Sequence, residues 1–181
     1  VGWSPVPPGP GWLALGTLGM LLALAPLAAG ARGAGLVLVA AMLAGRAERP
    51  RHGELWVTVL DVGQGLAVAL ETRTHVALYD TGPAYRGGGS AGERVVVPYL
   101  RHRGWPRLDA LIVSHADLDH AGGVPAIREQ FALGRLVSGA PDAADRCRVG
   151  ERWQWDGVQV EFLHPDDARY SDNDGSCVLR V

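Results

Sequence analysis

The stretch Leu108-Asp-Ala-Leu-Ile-Val-Ser-His-Ala-Asp-Leu-Asp-His-Ala-Gly-Gly-Val124 decides how this chain is read. Its first part, Leu108 to Val113, is short and mostly apolar, the pattern of a buried strand. Its second part sets two imidazoles and two carboxylates within six positions, at His115, Asp117, Asp119 and His120. Two glycines follow, and beyond them Val124, Ile127 and Phe131 recur at helical spacing. The four polar residues therefore fall on a strand-to-helix loop, where α/β proteins place ligands and chemistry. Mixed nitrogen and oxygen donors suit a borderline or hard divalent metal. Alternate residues of an extended loop share a side. His115, Asp117 and Asp119 are thus expected to converge while His120 turns to the other side. That geometry could serve two metals, one on His115 and Asp117, the other on Asp119 and His120. The glycines allow a tight turn beneath them. A solvated acidic loop with incidental histidines is the plainer alternative, and the density of donors between a strand and Gly-Gly weighs against it.

Upstream, residues 1–52 differ from the rest. Val1 to Pro10 is rich in Pro and Gly and reads as a loop. Trp12 to Ala31 carries no charge and is long enough to cross a ~30 Å hydrocarbon core as a helix. Pro26 is expected to kink it. Ala34 to Gly45 is apolar but shorter, so the expectation is one membrane helix or a helical hairpin. Trp3 and Trp12 would suit an interfacial belt. Arg32, Arg46, Arg49 and Arg51 leave sidedness open. A linker follows, and a second domain spans residues 53–181.

That domain reads as short strands at residues 55–60, 66–70 and 76–79, joined by tight turns, which argues an antiparallel start to a sheet. Residues 85–92 are Gly-rich and read as flexible. Pro98 to Arg103 reads as a short helix. Further strands are expected at residues 136–138, 158–162 and 177–181. The chain has 181 residues, no Lys, and a formal charge of −2, which leaves no general basic footprint for nucleic acid. Cys147 and Cys177 make no framework and read as two free small hydrophobes. His52, His75 and His102 read as solvated, and His164 as structural. The chain begins at Val1 and ends within an apolar strand pattern, so a fragment of a longer protein is expected.

The segment Ser114 to Gly123, an HxDxDH motif, resembles the HxHxDH loop of the metallo-β-lactamase superfamily, with Asp117 in place of the second His. With Ser114 ahead and Ala-Gly-Gly behind, it is similar to the soluble domain of ComEC-type competence proteins. The resemblance extends to Asp61-Val-Gly-Gln-Gly65, Leu78-Tyr-Asp-Thr-Gly82, Glu93 to Leu100, Phe162-Leu-His-Pro165 and Asn173 to Val181. It implies an α/β fold, a metallo-β-lactamase-like αββα sandwich, incomplete at the C-terminus and preceded by the membrane helix or hairpin. It implies metal ligands at His115, Asp117, Asp119 and His120, catalysis centred on Asp119 and His120, and Asp80 hydrogen-bonded beneath the loop. Asn173 and Ser176 match an Asn-x-x-Ser pattern at the site's periphery. The family's later bridging Asp and later His do not occur in this sequence. Two zinc or manganese ions are implied in the intact parent, and hydrolysis of DNA phosphodiesters on the strand that is not imported. DNA, as a single strand during uptake, the membrane and other competence proteins are the implied partners. The implied location is the bacterial cell membrane. Another superfamily hydrolase of a small ester or phosphoester, or a non-catalytic fragment, is the competing reading.

Overall fold

The computed structural model describes residues 10–26, 28–43, 47–140, 142–166, 170 and 172–181. Trp3 and Arg46 lie outside them. The chain divides into two compact units, one over Val1–Glu48 with Arg101–Gly104, the other over Arg49–Leu100 with Trp105–Val181.

The first unit contains two helices, α1 (Pro10–Leu24) and α2 (Ala29–Leu43). The single uncharged helix expected over Trp12 to Ala31 is not formed. Proline disfavours a helical residue before it and lacks the N–H that continues a helix, and α1 ends at Leu24 with a bend at Ala25 and Pro26. Each helix has 15 residues, about 22 Å at 1.5 Å per residue. No described helix is long and apolar enough to cross a membrane. The two pack through glycine. A Cβ on Gly19 would lie 2.8 Å from the Gly35 carbonyl oxygen, and one on Gly35 would lie 2.5 Å from that of Gly19. Only bare backbone allows this approach. Leu21, Leu24, Leu36 and Val37 remain exposed.

The second unit is built on a five-stranded sheet of order β1-β2-β3-β4-β5. Its strands are β1 (Trp56–Val59), β2 (Val68–Glu71), β3 (Val76–Tyr79), β4 (Arg107–Val113) and β5 (Ala132–Ser138). The first three pair antiparallel, β3 with β4 and β4 with β5 parallel. Parallel pairs need crossovers. The first runs through a π-helical turn over Gly92–Val96 into α3 (Val97–His102), the second through α4 (Leu118–Ala121) and α5 (Val124–Gln130). A second, antiparallel sheet holds β6 (Arg152–Trp155), β7 (Val158–His164) and β8 (Val178–Arg180).

Strand alternation divides the core in two. Val76, Leu78, Leu111 and Val113 face the helices and pack with Val96, Leu100, Ile127 and Phe131. Ala77, Ala110 and Ile112 face the second sheet and pack with Val137, Phe162, Cys147 and Cys177. Phe162 is fully buried and tilts against Trp153, ring centroids 5.3 Å apart. Helices on one face of the large sheet and a second sheet on the other give an α/β sandwich. At the sheet's edge Val57 and Val59 are exposed, because the small sheet does not cover this margin. Residues 85–92, Gly-rich in the sequence, form a hydrogen-bonded turn, Tyr85 N–H donating to the Gly89 carbonyl at 3.0 Å. Ala84 bridges to Ser90, and the Arg94 guanidinium lies over the Tyr85 ring.

The cysteines are not free. Cys147 and Cys177 form a disulfide with Cα atoms 5.8 Å apart. Their separation of 30 positions conceals the pairing in the sequence. The loop after β5 and the entry to β8 meet between the sheets and bring the two sulfurs together.

Candidate functional site

Three loops meet, those that follow β1, β3 and β4. Asp80 follows β3 and is fully buried. Its backbone is left-handed, φ 58°, which Asp tolerates better than most residues but still at a cost. Ser114 follows β4. The Asp80 carboxylate accepts hydrogen bonds from the Ser114 N–H and the Ser114 hydroxyl, each at 2.7 Å. It also accepts from the His120 ring at Nδ1, 2.7 Å. Burial pushes the Asp80 carboxyl above its ordinary value, against the pull of His120 and Ser114.

Donor accounting assigns both imidazole tautomers. His120 Nδ1 donates to Asp80, so its Nε2 carries the lone pair. The Ser114 hydroxyl spends its hydrogen on Asp80. Toward His115 Nδ1, 2.9 Å away, it can then only accept. His115 is therefore protonated at Nδ1, and its Nε2 also carries a lone pair. One buried carboxylate thus orients two imidazoles, one directly and one through a serine. Metal-ligating histidines are held in this way.

The two rings are neighbours, centroids 4.2 Å apart. This differs from the expectation that His120 turns away. Residues 118–121 are not extended but form the helical turn α4, which carries His120 round to His115. The His115 Nε2 is buried and makes no hydrogen bond. Its nearest anionic neighbour is Asp117, 3.4 Å away. His120 Nε2 lies 3.8 Å from Asp119. The Asp117 carboxylate is exposed and that of Asp119 half-buried, 49% and 38% exposed. The donors therefore stand as two nitrogen–oxygen pairs. Among the described residues no group of three or more His, Cys, Asp or Glu is drawn together as a metal-binding cluster. The donor chemistry nonetheless fits a divalent cation. An unpartnered buried lone pair costs free energy unless something takes it up, and the adjoining carboxylates are exposed enough to turn inward.

Glycine lets the loops approach. Gly65, φ +114°, passes so close to the motif that a Cβ there would sit 2.0 Å from the Asp119 carbonyl oxygen. Leu66 N–H donates to that same oxygen at 3.3 Å. The Thr81 hydroxyl donates to the His120 carbonyl at 2.9 Å and accepts from Gly123 N–H at 3.0 Å.

Residues 60–172, more than half of the chain, match the metallo-beta-lactamase superfamily. The chain belongs to that superfamily. It is also 39% identical over 172 residues to "Competence protein ComA" of Neisseria gonorrhoeae, covering 93% of this chain and 24% of that protein. It is 37% identical over 131 residues to "Recombination protein 2" of Haemophilus influenzae, 69% of this chain and 16% of that protein. Against "ComE operon protein 3" of Bacillus subtilis the identity is 33% over 125 residues, 61% of this chain and 16% of that protein. The chain is thus a ComA/ComEC-like homologue carrying a metallo-β-lactamase domain, and it spans about a quarter or less of the length of these relatives.

Beyond the four motif residues, the structure gives Ser114 and Tyr79 contacts that the sequence did not single out, and places Ser176 and Asn173, which the resemblance set at the site's periphery. Ser114 was visible only as a flank of the motif. Its position at the end of a buried strand, next to a candidate ligand, is the signal that marks it in retrospect. Ser176 places its hydroxyl 3.3 Å from His115 Nδ1, sharing that N–H with Ser114. The Tyr79 hydroxyl donates to the Cys177 carbonyl at 2.5 Å. Burial first, and then the Asp80 charge, push the Tyr79 phenol up to about 12. Asn173 is exposed and accepts from Ser176 N–H through its backbone carbonyl, 3.2 Å. His164 lies apart and bonds the Asp174 carbonyl at 2.6 Å. His75, expected in solvent, is stacked on Trp155 with centroids 5.1 Å apart and pairs with Asp156 at 3.2 Å.

Proposed function

We propose that this chain is part of a bacterial DNA-uptake protein whose metallo-β-lactamase domain hydrolyses phosphodiesters of the strand that is not imported. The observation that carries the proposal is the Asp80–Ser114 network, which turns the Nε2 lone pairs of both His115 and His120 away from its own bonds. His115 with Asp117 and His120 with Asp119 would hold divalent metal, two zinc or manganese ions in the parent protein. Bound there, such ions stabilise charge developing on a phosphoryl oxygen and lower the pKa of a water. The chain's own residues have separate tasks. Asp80 keeps a proton on His120 Nδ1 and its negative charge strengthens the imidazole as a donor. Ser114 passes the same constraint to His115. Asp117 and Asp119 supply the anionic charge that a dication requires and a phosphodiester does not. Asp119 and His120 stand together at the mouth of the loop and would be the residues nearest the reacting group.

Similarity to proteins named for competence supports DNA as the substrate and other competence proteins as partners. The exposed apolar residues of α1 and α2 and their glycine contact support an apolar surrounding for the hairpin, as expected of a parent protein integral to the cell membrane. The test is hydrolysis of labelled single- and double-stranded DNA by the full-length parent, with Mn²⁺, with Zn²⁺ and with a chelator. Cleavage is expected only with metal and is expected to be lost in Asp119→Ala. Equal cleavage by the parent and Asp119→Ala would remove this loop from the mechanism.

A further inference from the structure

The segment from Asp172 to Cys177 lies outside the motif, yet it reaches the most buried donor of the site. Its last residue is pinned on every side. Cys177 N–H donates to the Ser114 carbonyl at 3.0 Å. The Cys177 carbonyl accepts from Tyr79, and its sulfur is bonded to Cys147. Cys147 in turn hangs on β5, its N–H donating to the Ser138 carbonyl at 3.4 Å. Next to it Gly139 leaves room for the segment. A Cβ there would sit 2.1 Å from the Ser114 carbonyl oxygen and 2.5 Å from that of Gly175. Ser176 sits between this anchor and His115.

We infer that Ser176 is a positioning residue for His115 and that the Cys147–Cys177 disulfide holds it in place, so that the bare Nε2 of His115 depends on a covalent link made between the two sheets. The inference rests on the metal-binding reading of the site. His115 Nδ1–H is shared between two hydroxyls, Ser114 at 2.9 Å and Ser176 at 3.3 Å. Ser114 fixes the tautomer and Ser176 fixes the tilt of the ring about its bond to the chain. Without Ser176 the ring has one partner and can rotate off the axis shared with Asp117. Without the disulfide the segment keeps its backbone bond to Ser114 but loses its tie to β5, and the serine hydroxyl is no longer held against the ring.

The experiment uses the whole chain in four variants, Ser176→Ala, Ser176→Thr, Cys147→Ala and His115→Ala, beside the wild type. Two quantities are read. The first is the ¹⁵N signature of the His115 ring in metal-free protein, which reports protonation at Nδ1 and exchange broadening. The second is the affinity for Mn²⁺, a cation with little preference for thiols. The wild type is expected to give one sharp Nδ1-protonated ring. Ser176→Ala and Cys147→Ala are expected to broaden it and to weaken Mn²⁺ binding by about 10-fold, the usual scale for removing a residue that orients a ligand. Ser176→Thr keeps the hydroxyl and should match the wild type. A wild-type ring signature with wild-type affinity in Ser176→Ala overturns the inference while Mn²⁺ binding lost in His115→Ala leaves the metal reading standing. Broadening in Ser176→Ala without Mn²⁺ binding by any form, wild type included, supports the positioning role and removes the metal reading. Should Cys147→Ala fail to fold, Ser176→Ala and Ser176→Thr still decide the matter, since neither touches the disulfide.

Discussion

Asp80→Asn is the substitution that isolates the network from the fold. Asn is nearly isosteric and tolerates the left-handed backbone of this position, φ 58°, as well as Asp does. Its carbonyl oxygen can keep the bond from Ser114 N–H. Its amide, however, presents two hydrogens where the carboxylate accepted two, from the Ser114 hydroxyl and from His120 Nδ1. A donor now faces a donor. The least disruptive adjustment moves the His120 proton from Nδ1 to Nε2, so that Nδ1 accepts from the amide. The fold then loses one charge-assisted bond, about 1.5–3 kcal/mol. It also sheds a buried charge whose desolvation already pushes the Asp80 carboxyl upward, and the two effects largely offset. A net loss of about 1 kcal/mol, or about 2–4 °C in Tm for a chain of this size, is expected.

The site fares worse than the fold. With Nε2 protonated, His120 has no lone pair to offer, and Asp119 beside it has lost its partner donor. Removing an orienting carboxylate of this kind costs about 10–100-fold in metal affinity, equivalent to about 1.4–2.8 kcal/mol. Calorimetric titration with Mn²⁺ at neutral pH, run beside thermal melting, separates the two effects. A folded Asp80→Asn protein that binds Mn²⁺ within twofold of the wild type would refute the tautomer argument, and with it the role given to Asp80.

Two further outcomes are expected. Asp156, φ 49°, clasps the β2–β3 turn from the β6–β7 turn, accepting from the Thr72 hydroxyl at 2.6 Å and the Thr74 N–H at 2.8 Å. Burial raises its carboxyl, but these bonds together with those from His75 and the Thr74 hydroxyl outweigh it and hold the group well below 3.8. A depressed carboxyl stabilises the fold above the unfolded value and loses that contribution as pH falls through the folded one. Asp156→Asn should therefore melt below the wild type at neutral pH by the equivalent of about 1–2 kcal/mol, with the gap closing below pH 3.8; a gap independent of pH would refute this. Gly65→Ala should cost about 1–3 kcal/mol through overpacking against the Asp119 carbonyl and should weaken Mn²⁺ binding as well, and unchanged melting and binding would show that the loops do not meet this closely.

What was legible in the sequence was local. The apolar run of β4, the glycines and the helical spacing of Val124, Ile127 and Phe131 lie within one stretch, and each reports on its own neighbours. What was not legible depended on contacts far apart in the chain or on a change of backbone. The side on which His120 falls turns on whether residues 118–121 are extended or helical, and four residues are too few for a period to show. Pro26 gave a clear signal, but a kink and a helix end look alike in sequence. The difference is whether the freed backbone groups find other partners. The disulfide joins residues 30 positions apart and nothing in the spacing announces it; the resemblance set Ser176 at the site's periphery, but its contact with His115, 61 positions away, shows only in the fold. Val57 and Val59 alternate with Trp56 and Thr58 in the sequence, and alternation reports only that a strand has two faces, not whether a second sheet reaches far enough to cover one of them, so their exposure was not legible.

The left-handed backbone at Asp80 ties these observations together. Glycine would relieve the strain there, yet glycine has no carboxylate, and the carboxylate is what the two imidazoles share. A strained residue persists only where its surroundings over-determine it, and here they do. Asp80 N–H donates to the Ile112 carbonyl at 2.8 Å, holding the turn to β4. Thr81 N–H donates to the His120 carbonyl at 2.8 Å, holding it to α4. The Thr81 hydroxyl adds a second bond to that carbonyl, and Gly123 N–H closes the loop back onto Thr81. The turn is thus stitched to the elements on both sides of the motif. The strain at Asp80 and the orientation of His115 and His120 are consequences of one arrangement, since the same backbone that twists Asp80 aims its carboxylate at Ser114 and His120 together.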